Sequence, residues 1–103
     1  GEEVTKLVHG EEEYEKAIVV FQNIPTSNEL YPYSLMYLGA SYDALEKEEY
    51  ALETFEKLSK LTSFEAYSKG YWFQLLIYLK NNNREKAQEM TTIILQDKNN
   101  YTR

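Results

Sequence analysis

"EYALETFEKL", residues 49–58, has a twin upstream, "EYEKAIVVFQNI" at 13–24. Set in one frame, Ala17 and Ala51, Phe21 and Phe55, and Ile24 and Leu58 each stand 34 residues apart. Ala51 to Ala87 and Leu58 to Ile94 are each 36 residues apart, an offset that a loop two residues longer explains. Several intervals agreeing at one period mark an internal repeat, and a repeat of this length is one supersecondary unit. Inside each twin the apolar residues return every three or four positions, the spacing of a helix face. The unit that fits is a pair of antiparallel helices.

Working outward, the sequence predicts six helices and no strands, because alternating runs bounded by turn residues are lacking. The first spans about 2–8 and is ended by "HG", with Gly10 in the left-handed cap position. The second, about 11–23, opens on Glu11, Glu12 and Glu13, which complement the positive end of the helix dipole. Its apolar stripe is Tyr14, Ala17, Ile18 and Phe21, with Ile24 just beyond. "IPTSNELYP" at 24–32 holds both prolines and is the linker. The third helix, about 31–45, carries Leu35, Leu38, Tyr42 and Leu45. The fourth, about 48–61, carries Ala51, Leu52, Phe55, Leu58 and Leu61. The fifth, about 64–80, carries Tyr71, Trp72, Leu75, Leu76, Tyr78 and Leu79, and "NNN" at 81–83 is its turn. The sixth, about 84–97, carries Ala87, Met90, Ile94 and Leu95. Gly39, inside the third helix, costs about 1 kcal/mol of helix propensity relative to alanine. It reads as a notch that lets the fourth helix lie close.

Residues 32–65 resemble a tetratricopeptide repeat. The first helix of that pattern is met by Leu35, Leu38, Gly39 and Tyr42, and the second by Ala51, Phe55 and Leu58. Residues 66–94 look like a degenerate further repeat, with Leu75 in place of the glycine. At the N-terminus only the second helix matches. The resemblance implies an all-α chain of three helix-pair repeats, about 1–25, 31–63 and 64–98. It implies that they stack as a short right-handed α-solenoid, and that the chain is a segment of a longer protein. The packing positions carried over are Ala17, Phe21, Gly39, Tyr42, Ala51, Phe55 and Ala87.

Composition narrows the function classes. The 103 residues are enough for one domain with a modest core. Acids outnumber bases 17 to 11, a formal charge of −6. That argues against nucleic acid, whose backbone needs a basic footprint, and against docking on anionic lipid. No apolar run reaches the roughly 18 residues of a membrane span. Cysteine is absent and His9 is the only histidine, so neither a metal centre nor a cysteine or serine nucleophile with its histidine base is assembled. No cofactor is expected, and the chain reads as a non-enzyme. "NYT" at 100–102 matches a glycosylation sequon but reads as a polar C-terminus. Residue usage resembles that of bacterial proteins, and similar repeats occur in envelope proteins, which points to the periplasm or cell envelope.

In solenoids that this sequence resembles, the first helix of each pair lines a concave groove. The groove positions are then Tyr33, Met36, Tyr37, Ala40 and Asp43, followed by Lys69, Trp72, Phe73, Leu76 and Lys80. Met36 and Ala40 stand where a carboxylate clamp would need polar side chains. The set is aromatic and apolar, as interface anchors often are. The expected partner is a protein or peptide, laid as an apolar segment into the groove. The alternative is a structural segment that self-associates, as a homodimer, or packs against other parts of a longer chain. Trp72 and Phe73 are about 100° apart on a helix, so one of them is free to belong to the core.

Overall fold

The structure is a computed structural model that describes residues 2–97, with side chains from residue 10 onward. His9 and the 100–102 sequon therefore lie outside the described side chains. Among the described residues five helices follow one another: α1 (Glu2–Gln22), α2 (Tyr31–Ala44), α3 (Glu48–Ser59), α4 (Lys69–Lys80) and α5 (Arg84–Gln96). The described residues contain no strand.

Two expectations are corrected. The predicted first and second helices are one, because Gly10 is helical and no described glycine has a positive φ. Glycine in a helix interior costs about 1 kcal/mol but does not forbid helix, and Glu11, Glu12 and Glu13 after it are good helix formers. The second correction is the start of α4, at Lys69 rather than about 64. Residues 62–68 form successive turns, with Phe64 N donating to Leu61 O at 2.8 Å and Tyr67 N to Phe64 O at 3.1 Å.

Those turns reveal the repeat in backbone hydrogen bonds. Asn28 N donates to Pro25 O, and Tyr31 N to Asn28 O, each 36 residues before its counterpart in the second loop. The helix ends repeat as well. Lys47 N donates to Tyr42 O at 2.9 Å and Asn83 N to Tyr78 O at 2.8 Å. These are the long bonds of a Schellman-type end, which needs a left-handed residue. Glu46 (φ 59°) and Asn82 (φ 61°) fill that place, again 36 apart. Since Ile24 matches Leu58 but Pro25 matches Leu61, the two extra residues of the second interval are Ser59 and Lys60.

The principal packing joins only helices consecutive in sequence: α1 on α2, α2 on α3, α3 on α4 and α4 on α5. The result is elongated, 49 × 36 × 23 Å. The core gathers on α3, where Ala51, Phe55 and Leu58 join Leu35 and Ile77. Ala87 and Ile94 bury α5, while Ala17 and Phe21 on α1 are half-buried. A Cβ on Gly39 would fall 2.5 Å from Phe55 Cε1. A Cβ on Gly70 would collide with the backbone of α3 at Phe55 O and lie 2.7 Å from Ser59 N. Both helices that flank α3 thus reach it through a glycine. Leu75, Leu76, Tyr78 and Leu79 are not the buried stripe of α4; Gly70, Gln74 and Ile77 are.

Among the described residues five polar ones are buried: Ser34, Ser41, Thr54, Ser59 and Gln74. Each donates to a carbonyl three or four residues back in the chain, at 2.6–3.1 Å. With the donor satisfied locally, these side chains enter the core without the cost of an unpaired group.

Three substitutions check this packing. Gly39→Leu is expected to lose about 1–3 kcal/mol or more by overpacking, and an unmoved melting temperature would contradict the contact. Gly70→Ala is expected to destabilise more than Gly39→Ala, since the α3 backbone yields less than the far edge of the Phe55 ring; thermal melts giving the reverse order would contradict it. Glu46→Gly is expected to stabilise by roughly 0.5–1 kcal/mol, because a side chain in the left-handed region is strained. A denaturant midpoint that falls would show that Glu46 makes a compensating contact.

Candidate functional site

α2 and α4 lie on either side of α3 and present the predicted groove positions. Tyr33, Tyr37 and Ala40 on α2, and Lys69, Trp72, Leu76 and Lys80 on α4, are exposed; Met36, Asp43 and Phe73 are half-buried. The neighbours Trp72 and Phe73 part company. Phe73 stacks on Phe55 with ring centroids 4.7 Å apart and packs on the core, whereas Trp72 stays 46% exposed. Two of the α2 tyrosines are held by rings from other elements. Tyr37 stacks on Phe21 of α1 at 5.5 Å, and Tyr33 meets Phe64 of the second loop edge-on at 5.1 Å. Such pairing fixes ring orientation and adds to simple burial.

Five of the ten positions meet in one cleft of about 300 Å³: Ala40 and Asp43 from α2, and Phe73, Leu76 and Lys80 from α4. Phe55 and Ile77 complete its lining. Ile77 was not among the predicted groove residues, although it lies one turn beyond Phe73 and its spacing from Gly70 and Gln74 marks the same face. Tyr33, Tyr37, Met36, Lys69 and Trp72 do not line this cleft and lie elsewhere along the two helices.

The rim of the cleft is charged. Lys80 Nζ donates to Asp43 Oδ1 at 2.6 Å, tying α4 to α2 across α3. Both groups remain open to solvent, Asp43 only in part, so the pair contributes no more than about 1 kcal/mol to stability. Beside it, Asn81 Nδ2 donates to Glu48 Oε1 at 2.7 Å and fastens the end of α4 to the start of α3. The bond to Asp43 holds the Lys80 ammonium above the usual lysine range. At the other end of the last pair, Tyr67 donates its hydroxyl to Asp97 at 2.6 Å. That bond to a carboxylate pushes the phenol up to about 12.

A second, larger cleft of about 480 Å³ lies between α3 and α4 on another side, lined by Glu49, Glu53 and Glu56 with Tyr50, Leu52, Gln74 and Tyr78. Among the described residues no three acidic, histidine or cysteine groups are placed to hold a metal ion. Among the described residues no helix is long and apolar enough to cross a membrane. The chain matches no family model, no curated protein and no solved structure.

Both shifted groups hold their protons more tightly in the folded state. Their contributions are therefore complete below the ordinary values of 10.0 for the phenol and 10.5 for the lysine. They are lost as pH rises above those values. Stability is expected to fall on the alkaline side, and Tyr67→Phe is expected to flatten the part of that fall between pH 10 and about 12. Melting temperatures that decline equally in both proteins would contradict the Tyr67–Asp97 bond.

Proposed function

We propose that this chain is a tetratricopeptide-like α-solenoid that binds, without catalysis, an apolar peptide or amphipathic helix along the face made by α2 and α4. The observation that carries the reading is the 300 Å³ cleft with an apolar floor of Phe55, Phe73, Leu76 and Ile77 and a charged rim of Asp43 and Lys80. Ligand pockets run from about 300 to 1,000 Å³, so this one suits a single large apolar side chain rather than a whole small molecule. Exposed Tyr33, Tyr37 and Trp72 extend the apolar surface along the same two helices. An elongated partner with one buried anchor and aromatic contacts beyond it, toward the N-terminal ends of α2 and α4, fits that layout. The solenoid reading is supported by the 36-residue recurrence of turns and by principal packing between consecutive helices.

The test is selection of peptides from a random display library on the immobilised chain, followed by calorimetric titration of a selected peptide. Leu76→Asp, Trp72→Ala and Tyr33→Ala are each expected to weaken binding about tenfold or more, equivalent to about 1.4 kcal/mol, with unchanged circular dichroism. Unchanged affinity in all three folded variants would overturn the groove.

A further inference from the structure

We infer that the cleft between α3 and α4 binds an organic cation, the guanidinium of an arginine, through Gln74, Glu49 and Glu53. No residue lines both this cleft and the α2–α4 cleft. The repeat supplies an internal comparison. A cleft of about 410 Å³ between α1 and α2 is lined by Glu15, Ile18, Gln22 and Tyr42, with Lys47 and Tyr50. Glu49, Leu52 and Glu56 follow the first three by 34 residues, and Tyr78 follows Tyr42 by 36. The cleft of about 480 Å³ is therefore the same cleft one repeat on. Its chemistry has changed. Glu56 stands in the place of Gln22, Glu53 in the place of Val19, and Gln74 in the place of the buried Leu38. Lys47 has Asn83 in its place, and no lysine or arginine lines the second cleft.

Gln74 carries the inference. It is only 6% exposed. Its Nε2 donates to Gly70 O at 3.1 Å, which locks the side chain. Its Oε1 accepts no hydrogen bond from a described residue and is not sealed from solvent, and the cleft is the space that Gln74 lines. A core amide has a cost that leucine avoids unless its oxygen also finds a donor. Among carboxylates, the fitting donor is a cation. Ion pairs leave the acidic charge largely in place. Glu56 is paired with Lys60 at 3.5 Å, but Glu49 and Glu53 make no ion pair or side-chain hydrogen bond with a described residue. Lys57, four residues after Glu53, lines the cleft between α1, α2 and α3. Lys86 of α5 is paired with Glu89 at 3.5 Å. Glu49 and Glu53 stand one turn apart, about 6 Å along α3, and no three such groups are placed to hold a metal ion among the described residues. A guanidinium spreads its donors in a plane, so it reaches separated acceptors, and it stacks on tyrosine rings. Tyr50 and Tyr78 line the cleft, and Tyr50 is held by stacking on Tyr42 at 5.3 Å.

Titration of the isotope-labelled chain with arginine blocked at both termini, followed by nuclear magnetic resonance, tests this. Blocked citrulline, of the same shape without the charge, is the control. The side-chain amide of Gln74 and the backbone amides around Glu49 and Glu53 are expected to shift together and to saturate with arginine, and to stay unmoved with citrulline. Gln74→Leu, which copies the first cleft, and Glu53→Gln, which keeps the shape and removes the charge, are each expected to weaken binding about tenfold. Glu53→Gln decides the matter should Gln74→Leu fail to fold by circular dichroism. Free arginine and a glycine-flanked arginine peptide separate the two sources of the group: equal affinity assigns a free cation, and tighter peptide binding assigns the side chain of a protein partner. Shifts that do not saturate, or citrulline binding equal to arginine, would overturn the inference. So would full affinity in either folded variant.

Discussion

The structure depends on how closely two helices approach α3 at the level of Phe55. On one side Gly39 leaves room for the edge of the ring; on the other Gly70 lets α4 settle against the carbonyl of Phe55 and the amide of Ser59. Phe73 then stacks on the ring. Phe55, Leu58 and Ala51 are buried almost completely because α3 alone has close neighbours on both sides with notches that fit it. Burying a phenylalanine or leucine stabilises by about 1.5–3 kcal/mol, so Phe55 and Leu58 together exceed the roughly 1 kcal/mol of helix propensity that each of the two glycines forgoes. The trade is favourable only if the helices do come close, so the glycines and the aromatic rings are one device.

From that centre the chain builds outward by contact between neighbours. α1 and α5 each rest on one helix, and their exposed apolar residues follow from that position at the ends. The same geometry places α2 and α4 side by side over α3, with Phe55 as part of the floor between them. Packing and the proposed binding cleft thus share residues. Whatever occupies the cleft touches the side chain on which the array is centred, so occupancy and stability are coupled.

Much of the fold was legible in the sequence. The 34- and 36-residue intervals located α3 and α5, and helical spacing after the proline linker located α2, each to within two residues or so; Gly39 was readable as a notch because the family resemblance gives its neighbours Leu38 and Tyr42 packing roles. α4 was harder for a physical reason. "YWFQLLIYL" is apolar all round, so periodicity does not choose a face. The face that is buried holds glycine, glutamine and isoleucine. Gln74 was invisible as a core residue because its donor is met by Gly70 O within the same helix. Gly10 was misread for the opposite reason: "HG" before an acidic run looks like a helix boundary, yet nothing at that position requires a left-handed residue. Of the site, the five cleft positions on α2 and α4 were among those the family resemblance implied, and helix register alone does not choose them. The Asp43–Lys80 bond was not, since it joins residues 37 apart whose approach depends on the glycine at position 70.

Amide hydrogen exchange resolved along the chain tests the central role of α3 most directly. With stability carried by contacts between neighbouring helices, the amides around Phe55 in α3 are expected to exchange slowest, those of α2 and α4 faster, and those of α1 and α5 fastest. Protection in α5 or α1 equal to that of α3, with all helices opening in one step, would contradict the account.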